Sequence, residues 1–397
     1  MTMPPTDDEL IAIRRHLHAH PELSGEEEET ARYIEERLRG FGVQDIKRVS
    51  QTGVVAIIEG DRPGPTLGYR ADIDALPIVE ENGCDYKSQN PGVMHACGHD
   101  VHTTVGLGVA RALAGRREDI DGRIKLIFQP AEEATPEDEP VGAERMVVDG
   151  VLQEPTVDAM YALHCMPSMD VGRIGHTGGP VWAGSELVDI VVRGEKAHGA
   201  YPHEGIDAIS VACQLVVSLQ QIASRRIDGR DACVFTVGTI EGGDNYNILA
   251  DRVMMQGILR GLSTEVMDRA RGLIREQAPA LAEAMGAQAA VTITPGARPV
   301  INDRRLEDQA VAIIEETQGP EAVTRWKPQL GAEDFSAFSR RVPGCYLFLG
   351  IRNEDKEITS ALHTPTFDVD EACLGVGVEA MVEVLLRTGQ QGPSVTP

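Results

Sequence analysis

Between about Glu186 and Thr294 the chain runs strand (LVDIVVRG), helix (Ile206 to Ser224), strand (ACVFTVG), strand (RVMMQGIL), helix (Thr264 to Met285), strand (AAVTIT). A βαββαβ run of this kind closes on itself as a split, ferredoxin-like unit. Residues 186–296 are therefore predicted to form a domain inserted between two parts of another, 1–185 and 297–397. In the first flank GVVAIIEG, TLGYRADID and RIKLIFQ are short β-rich apolar runs, with a helical stretch from Val101 to Ala114 between the second and third. That alternation reads as an α/β sheet. After Pro295, a helix (Leu306 to Thr317), a strand near CYLFLG and a final helix (Asp370 to Arg387) would complete it. A length of 397 residues agrees with two hydrophobic cores.

The helix boundaries are signalled by caps. Thr6 with Glu9 forms a capping box ahead of Leu10, Ile13 and Leu17, and Ser24 with Glu27 forms a second, opening a helix to Gly40 or Gly42. The tail QQGPSVTP is expected to fray.

Composition narrows the partners. With 62 acidic against 37 basic residues the net charge is −25, which repels nucleic acid and anionic lipid alike. No stretch approaches the roughly 18 uncharged apolar residues of a membrane helix. The start MTMPPTDDEL has neither the basic nor the apolar region of a secretory signal, so a cytoplasmic location is expected. Seven scattered cysteines without a C-x-x-C pair argue against a disulfide framework or zinc ribbon.

No G-x-S-x-G elbow, H-E-x-x-H or P-loop is present, and Gly106-x-Gly108 lacks the third glycine of a dinucleotide loop. Instead MHACGHDVHTT places His95, Cys97, His99, Asp100 and His102 within eight residues. In an extended segment Cys97 and His99 would point to one side, so thiolate and imidazole could share a metal centre. After the RIKLIFQ strand, Pro130 ends the ladder and Glu132-Glu133 follow, at the carboxyl end of a strand, where α/β sheets place ligands. His164 in YALHCMP and His363 in ALHTPTFD each follow an apolar run. Any of these alone reads as structural; the four segments together point to a dinuclear site.

The sequence resembles the dinuclear metallopeptidase clan, in its amidohydrolase branch of aminoacylases, hippurate hydrolases, auxin-conjugate hydrolases and some carboxypeptidases. RRHLHAHPELS, YRADIDALPI, MHACGHDVHTT, LIFQPAEEA, ALHCMP, AHGAYPHEGIDA, GAEDFSAF and LHTPTFD follow its motifs in its order. The resemblance implies a mixed-sheet catalytic domain with an inserted lid or dimerisation domain. It also implies two divalent transition-metal ions held by Cys97, His99, Glu133, His164 and His363, with Glu132 as general base and Asp74 as an acid orienting a ligand. It further makes His198 of AHGAYPH a contact to substrate or oxyanion, and Asn247 and Arg260 carboxylate binders. This chain reads GGDNYNILAD where the branch more often has an Asn-Val-Ile-Pro-Asp run, so the surroundings of Asn247 depart from the pattern. His16, His18, His20, His95, His102, His176 and His203 are read as structural or supporting residues.

The expected reaction is hydrolysis of the amide bond of an N-acyl amino acid, such as N-acetyl or N-benzoyl, by a metal-bridging water with Glu132 as base. Sulfur with imidazole favours zinc, with cobalt, nickel or manganese as alternatives. Other readings are a carboxypeptidase or dipeptidase, a cysteine hydrolase with Cys97 as nucleophile, and a binding protein that keeps the fold without the chemistry. An open sheet edge in the inserted unit predicts a homodimer, with His198 acting in cis or across the subunits.

Overall fold

The computed structural model describes residues 7–134 and 140–395, and the chain divides into two compact units. The first comprises residues 1–179, 301–327 and 334–397; the second comprises 180–300 and 328–333.

The first unit is built on an eight-stranded mixed sheet. Its order is Asp45–Val49, Gly53–Glu59, Asp121–Gln129, Arg62–Asp72, Ala159–Asp170, Gly344–Arg352, Ile174–His176, Val323–Arg325. The four central strands, from Asp121–Gln129 to Gly344–Arg352, are mutually parallel. Their sequences explain this: CYLFLGI is buried along its whole length, as expected of a strand covered on both faces rather than one. The helix His99–Ala114 lies so close to the sheet that a side-chain carbon on Gly106 would press on Phe128 and Ala71. Gly108 gives similar close contact with Val378 of the helix Cys373–Gln391 and with Leu10. The two glycines that suggested a broken nucleotide loop are thus packing positions.

The second unit is a four-stranded antiparallel sheet ordered Gln288–Pro295, Gly184–Arg193, Arg252–Gly261, Cys233–Gly242. Val188, Ile190, Val192, Val253, Met255 and Leu259 face the helices Ala208–Arg225 and Thr264–Ala284 in one apolar core. On alternate positions Leu187, Met254 and Ile258 stay exposed, so the helices cover one face. Among the described residues no helix is long and apolar enough to cross a membrane.

Two local expectations need revision, and a third falls outside the described residues. Thr6 lies outside the described residues, so the first capping box has no structural account. The second box does not form: the helix Glu28–Gly40 starts without a side-chain cap. Ser24 Oγ instead donates to Asp74 at 2.6 Å, and Glu27 is buried, accepting from Thr52 Oγ1 and from the backbone of Gly25 and Ala131. Tertiary partners outbid the local cap. Nor is Cys97–His99 an extended segment. Gly98 sits in the left-handed region at φ 81° and His99 opens the helix.

Candidate metal centre

The chemistry-bearing residues of the first unit gather at the carboxyl ends of its parallel strands. Asp72 ends Arg62–Asp72 and Asp74 follows it, Glu132 and Glu133 follow Asp121–Gln129, and His164 lies on Ala159–Asp170. The left-handed turn at Gly98 swings Cys97 and His99 towards the same place, and a side-chain carbon there would collide with Cys165 Sγ. Only glycine accommodates both the dihedral and the contact.

Ligand-type atoms of Cys97, His99 and His164 lie within 4.8 Å of one another, as do those of Cys97, Glu133 and His363, and of His99, Glu132 and Glu133. Cys97 Sγ is 3.6 Å from His164 Nε2, and His363 Nε2 is 3.1 Å from Glu133 Oε1. Two of the supporting backbones are strained: Ala131, just before Glu132, and His363 itself have φ of 54° and 60°. Non-glycine residues hold such angles only where the surroundings impose them. Here the backbone N–H of Ala131 donates to Glu27, and that of His363 to Ala96 O.

Orientation of the imidazoles is set by their second nitrogens. Asp74 Oδ1 is 3.0 Å from His99 Nδ1, while its Oδ2 accepts from Ser24 and from the backbone of Glu133. His164 Nδ1 lies 2.7 Å from Cys165 O, which keeps its proton there and turns Nε2 towards Cys97.

Burial and charge compete within the cluster. Burial alone would lower the His99 imidazole, but Asp72 and Asp74 outweigh it and raise it to about 10. Burial drives the Cys97 thiol well above its ordinary range, and Glu133 and Glu132 add to it. Burial likewise pushes His164 well below the usual imidazole range. The carboxylates of Asp72, Asp74, Glu132 and Glu133 make the pocket electrostatically negative, the setting that a cation reverses. His99 Nε2 is buried and makes no hydrogen bond among the described residues. With thiol, imidazole and carboxylate donors converging beside that nitrogen, the residues fit a thiophilic divalent ion.

The candidate substrate contacts belong to the second unit. His198 and Asn247 are brought together: Gly199 N donates to Asn247 O at 2.7 Å, Leu249 N to Ala197 O, and His198 pairs with Ile248. Arg260 does not join them. It pairs with Ser185 at the far end of a strand that begins at Arg252, eight residues and roughly 26 Å away. The Arg252 end is the one leading into the His198–Asn247 pair. Arg260 Nη1 is buried and has no hydrogen-bond partner among the described residues.

Some residues around the cluster escaped the sequence reading. Ser24 and Glu27 were assigned to a cap, and Asp72 was passed over beside Asp74. Asp72 and Asp74 are two apart, so in a strand they point to one side, and His102 is one helical turn from His99; both spacings were readable signals.

A sheet presenting thiol, imidazole and paired carboxylates at its carboxyl edge defines a hydrolase of the metal-binding class. The chain belongs to peptidase family M20/M25/M40, which matches residues 68–387, and like its relatives it acts on amide bonds. It is 36% identical over 372 residues to the N-acetyl-L-cysteine deacetylase of Bacillus subtilis, covering 93% of this chain and 85% of that one. It is 37% identical over 376 residues to thermostable carboxypeptidase 2 of Saccharolobus solfataricus, covering 94% of each. The crystal structure of a dinuclear metal-binding M20 peptidase from Bacillus subtilis superposes with a TM-score of 0.84, at 32% identity, covering 97% of this chain and 98% of that one.

Proposed function

We propose that the protein hydrolyses the amide bond of N-acyl amino acids, with Glu132 as general base. The observation that carries this reading is the convergence of Cys97, His99 and His164 with Glu132, Glu133 and His363 on one strand edge. Two transition-metal ions, zinc first and cobalt, nickel or manganese as alternatives, would be held by Cys97, His99, Glu133, His164 and His363, and when bound would lower the pKa of water towards about 7 and polarise the scissile carbonyl.

The chain's own groups do the rest. Glu132, half-buried and beside Glu133, would take the proton of the attacking water and return it to the leaving amine, a contribution on the order of 10²–10⁴ in rate. Asp74 ties His99 to the backbone of Glu133, fixing the orientation of one candidate ligand relative to the other. A buried guanidinium nitrogen with no partner suits a substrate carboxylate, which supports Arg260 as the group that selects an amino acid over a simple amide.

His198 and Asn247 stand at the other end of their sheet from Arg260, too far along it for one small substrate to touch all three in a single chain. This favours a dimer in which the second copy supplies the His198–Asn247 pair, the inserted unit serving as lid and dimerisation domain. The deacetylase relative favours N-acyl amino acids, and the carboxypeptidase relative keeps short peptides as the second reading. The test is a screen of N-acetyl, N-benzoyl and long-acyl amino acids and dipeptides, each with and without a chelator. Chelator-sensitive turnover of N-acyl amino acids is expected; turnover that survives chelation but not alkylation would point to Cys97 as a nucleophile instead.

A further inference from the structure

Behind the candidate ligands lies a second pair of titratable groups that the proposed reaction does not use, Asp72 and His102, both buried. His102 Nε2 is 2.8 Å from the backbone nitrogen of Cys165, which can only donate. That nitrogen of the ring is therefore an acceptor, and the ring proton sits on Nδ1, where it is given to Asp72 Oδ1. Asp72 is itself fixed: Arg70 Nη1 donates to its Oδ2 at 2.7 Å, and Thr103 Oγ1 donates to its backbone oxygen. Arg70 in turn grips Gln129 Oε1 at 2.8 Å and Asp334 Oδ1 at 2.9 Å.

The His102 ring is packed against both candidate imidazole ligands, with centroids 4.5 Å from His164 and 5.4 Å from His99. It thus links the first turn of the helix that carries His99 to the strand that carries His164, one residue past the ligand. The same cluster also invites another reading. His102 falls in groups with Asp72 and His99, and with His164 and Cys165, whose atoms are close enough to share an ion. Its hydrogen bonds decide against it, since Nδ1 carries a proton and the lone pair of Nε2 is already taken by Cys165 N–H.

We propose that His102, locked by Asp72 and Arg70, is a positioning residue that sets the His99–His164 spacing and so the affinity of the centre, without being a ligand. The inference rests on the metal-centre reading above. It predicts that the spacing is maintained by one donated and one accepted hydrogen bond, not by the bulk of the ring. Of the conservative replacements, glutamine keeps an acceptor for Cys165 N–H near the Nε2 position, whereas phenylalanine keeps the bulk and loses both bonds.

The test titrates cobalt(II) into metal-free protein and follows binding by the visible ligand-field and thiolate bands. His102→Phe, His102→Gln and Asp72→Asn are compared with wild type, and a thermal melt without metal checks that each variant folds. Expected are an unchanged number of ions per chain, an affinity about 10–100-fold weaker in His102→Phe, altered band positions, and substantial recovery of both in His102→Gln. Wild-type affinity and spectra in folded His102→Phe would overturn the positioning role while leaving the metal centre standing. Loss of one ion per chain in both His102 variants would overturn it by making His102 a ligand. Wild-type protein that bound no cobalt would overturn the metal-centre reading itself, and this inference with it.

Discussion

Asp74 joins the two halves of the candidate centre: one oxygen is 3.0 Å from His99 Nδ1, and the other accepts the backbone N–H of Glu133 at 3.0 Å. Removing it frees an imidazole and a carboxylate loop together. Asp74→Ala is expected to weaken metal retention about 10–100-fold, with the larger loss in Ala than in Asn, because the amide can still accept from Ser24 or Glu133. Competition against a graded series of chelators measures this. Equal retention by wild type and Asp74→Ala would contradict it.

Glu132 and Glu133 are chain neighbours with different assigned tasks, so their isosteric variants should fail differently. Glu132→Gln is expected to keep metal content and fold while losing at least about a hundredfold in kcat; Glu133→Gln should lose metal as well. Elemental analysis of purified protein beside steady-state kinetics separates the two. Near-normal turnover in Glu132→Gln would remove it as the base.

Gly98 tests the turn that brings Cys97 and His99 together. In Gly98→Ala the new carbon meets Cys165 Sγ in a left-handed backbone. Overpacking costs typically about 1–3 kcal/mol and the dihedral roughly 1–2 more. A loss of that order in urea unfolding is expected, together with weakened metal binding. A variant as stable as wild type would show that the turn can relax.

How much of this was legible beforehand divides along physical lines. The strand and helix order was readable, because runs such as CYLFLG and RVMMQGIL state their period locally, and the mixed α/β sheet followed from it. Cys97 and His99 were visible through sheer density of chemistry in one segment. That the four segments meet was expected from their combination, but the geometry that brings them together was not readable, because it depends on a left-handed glycine and on strands paired across about 180 residues, such as Ala159–Asp170 with Gly344–Arg352. Ser24 and Glu27 show the converse failure. Their spacing fits a local cap well, yet Asp74 and Ala131, distant in sequence, claim both side chains. Local pattern ranks local options and has no access to such competitors. Arg260 entered only through the family resemblance, and its separation from His198 and Asn247 emerged only from strand register.

His18 gives a pH signature away from the candidate ligands. Burial and Arg14 lower its imidazole, but Asp100 and Glu80 outweigh them and raise it; Tyr86 packs edge-on against it and His95 lies near. A histidine raised on folding contributes stability that is fully present below about pH 6.5 and lost as pH rises through the higher folded value. Wild type should therefore lose stability relative to His18→Gln between pH 6 and 8. Lys125 bends the absolute stability curve of both proteins alike and cancels in their difference. Burial lowers its ammonium to about 8, so above that pH it contributes in the opposite direction. Urea midpoints at pH 6, 7 and 8 for both proteins provide the comparison, and parallel slopes would exclude His18 as the source.

The separation of Arg260 from His198 and Asn247 leads to a complementation experiment. If each site takes its His198–Asn247 pair from a second copy, mixing inactive Glu132→Gln with inactive His198→Ala under subunit exchange creates dimers of one chain of each kind. In such a dimer one site combines a defective base with a missing histidine and is dead. The other combines an intact Glu132 with the intact His198 of its partner and works. With random exchange about half the dimers are mixed and half of their sites are competent, so activity should recover to roughly a quarter of wild type. If His198 served the site of its own chain, every site in every dimer would carry one lesion and nothing would return. Native mass spectrometry of the mixture, with one variant isotopically labelled, confirms that exchange has occurred. A wild-type chain that sedimented as a monomer at assay concentration with full activity would dispose of the shared site altogether.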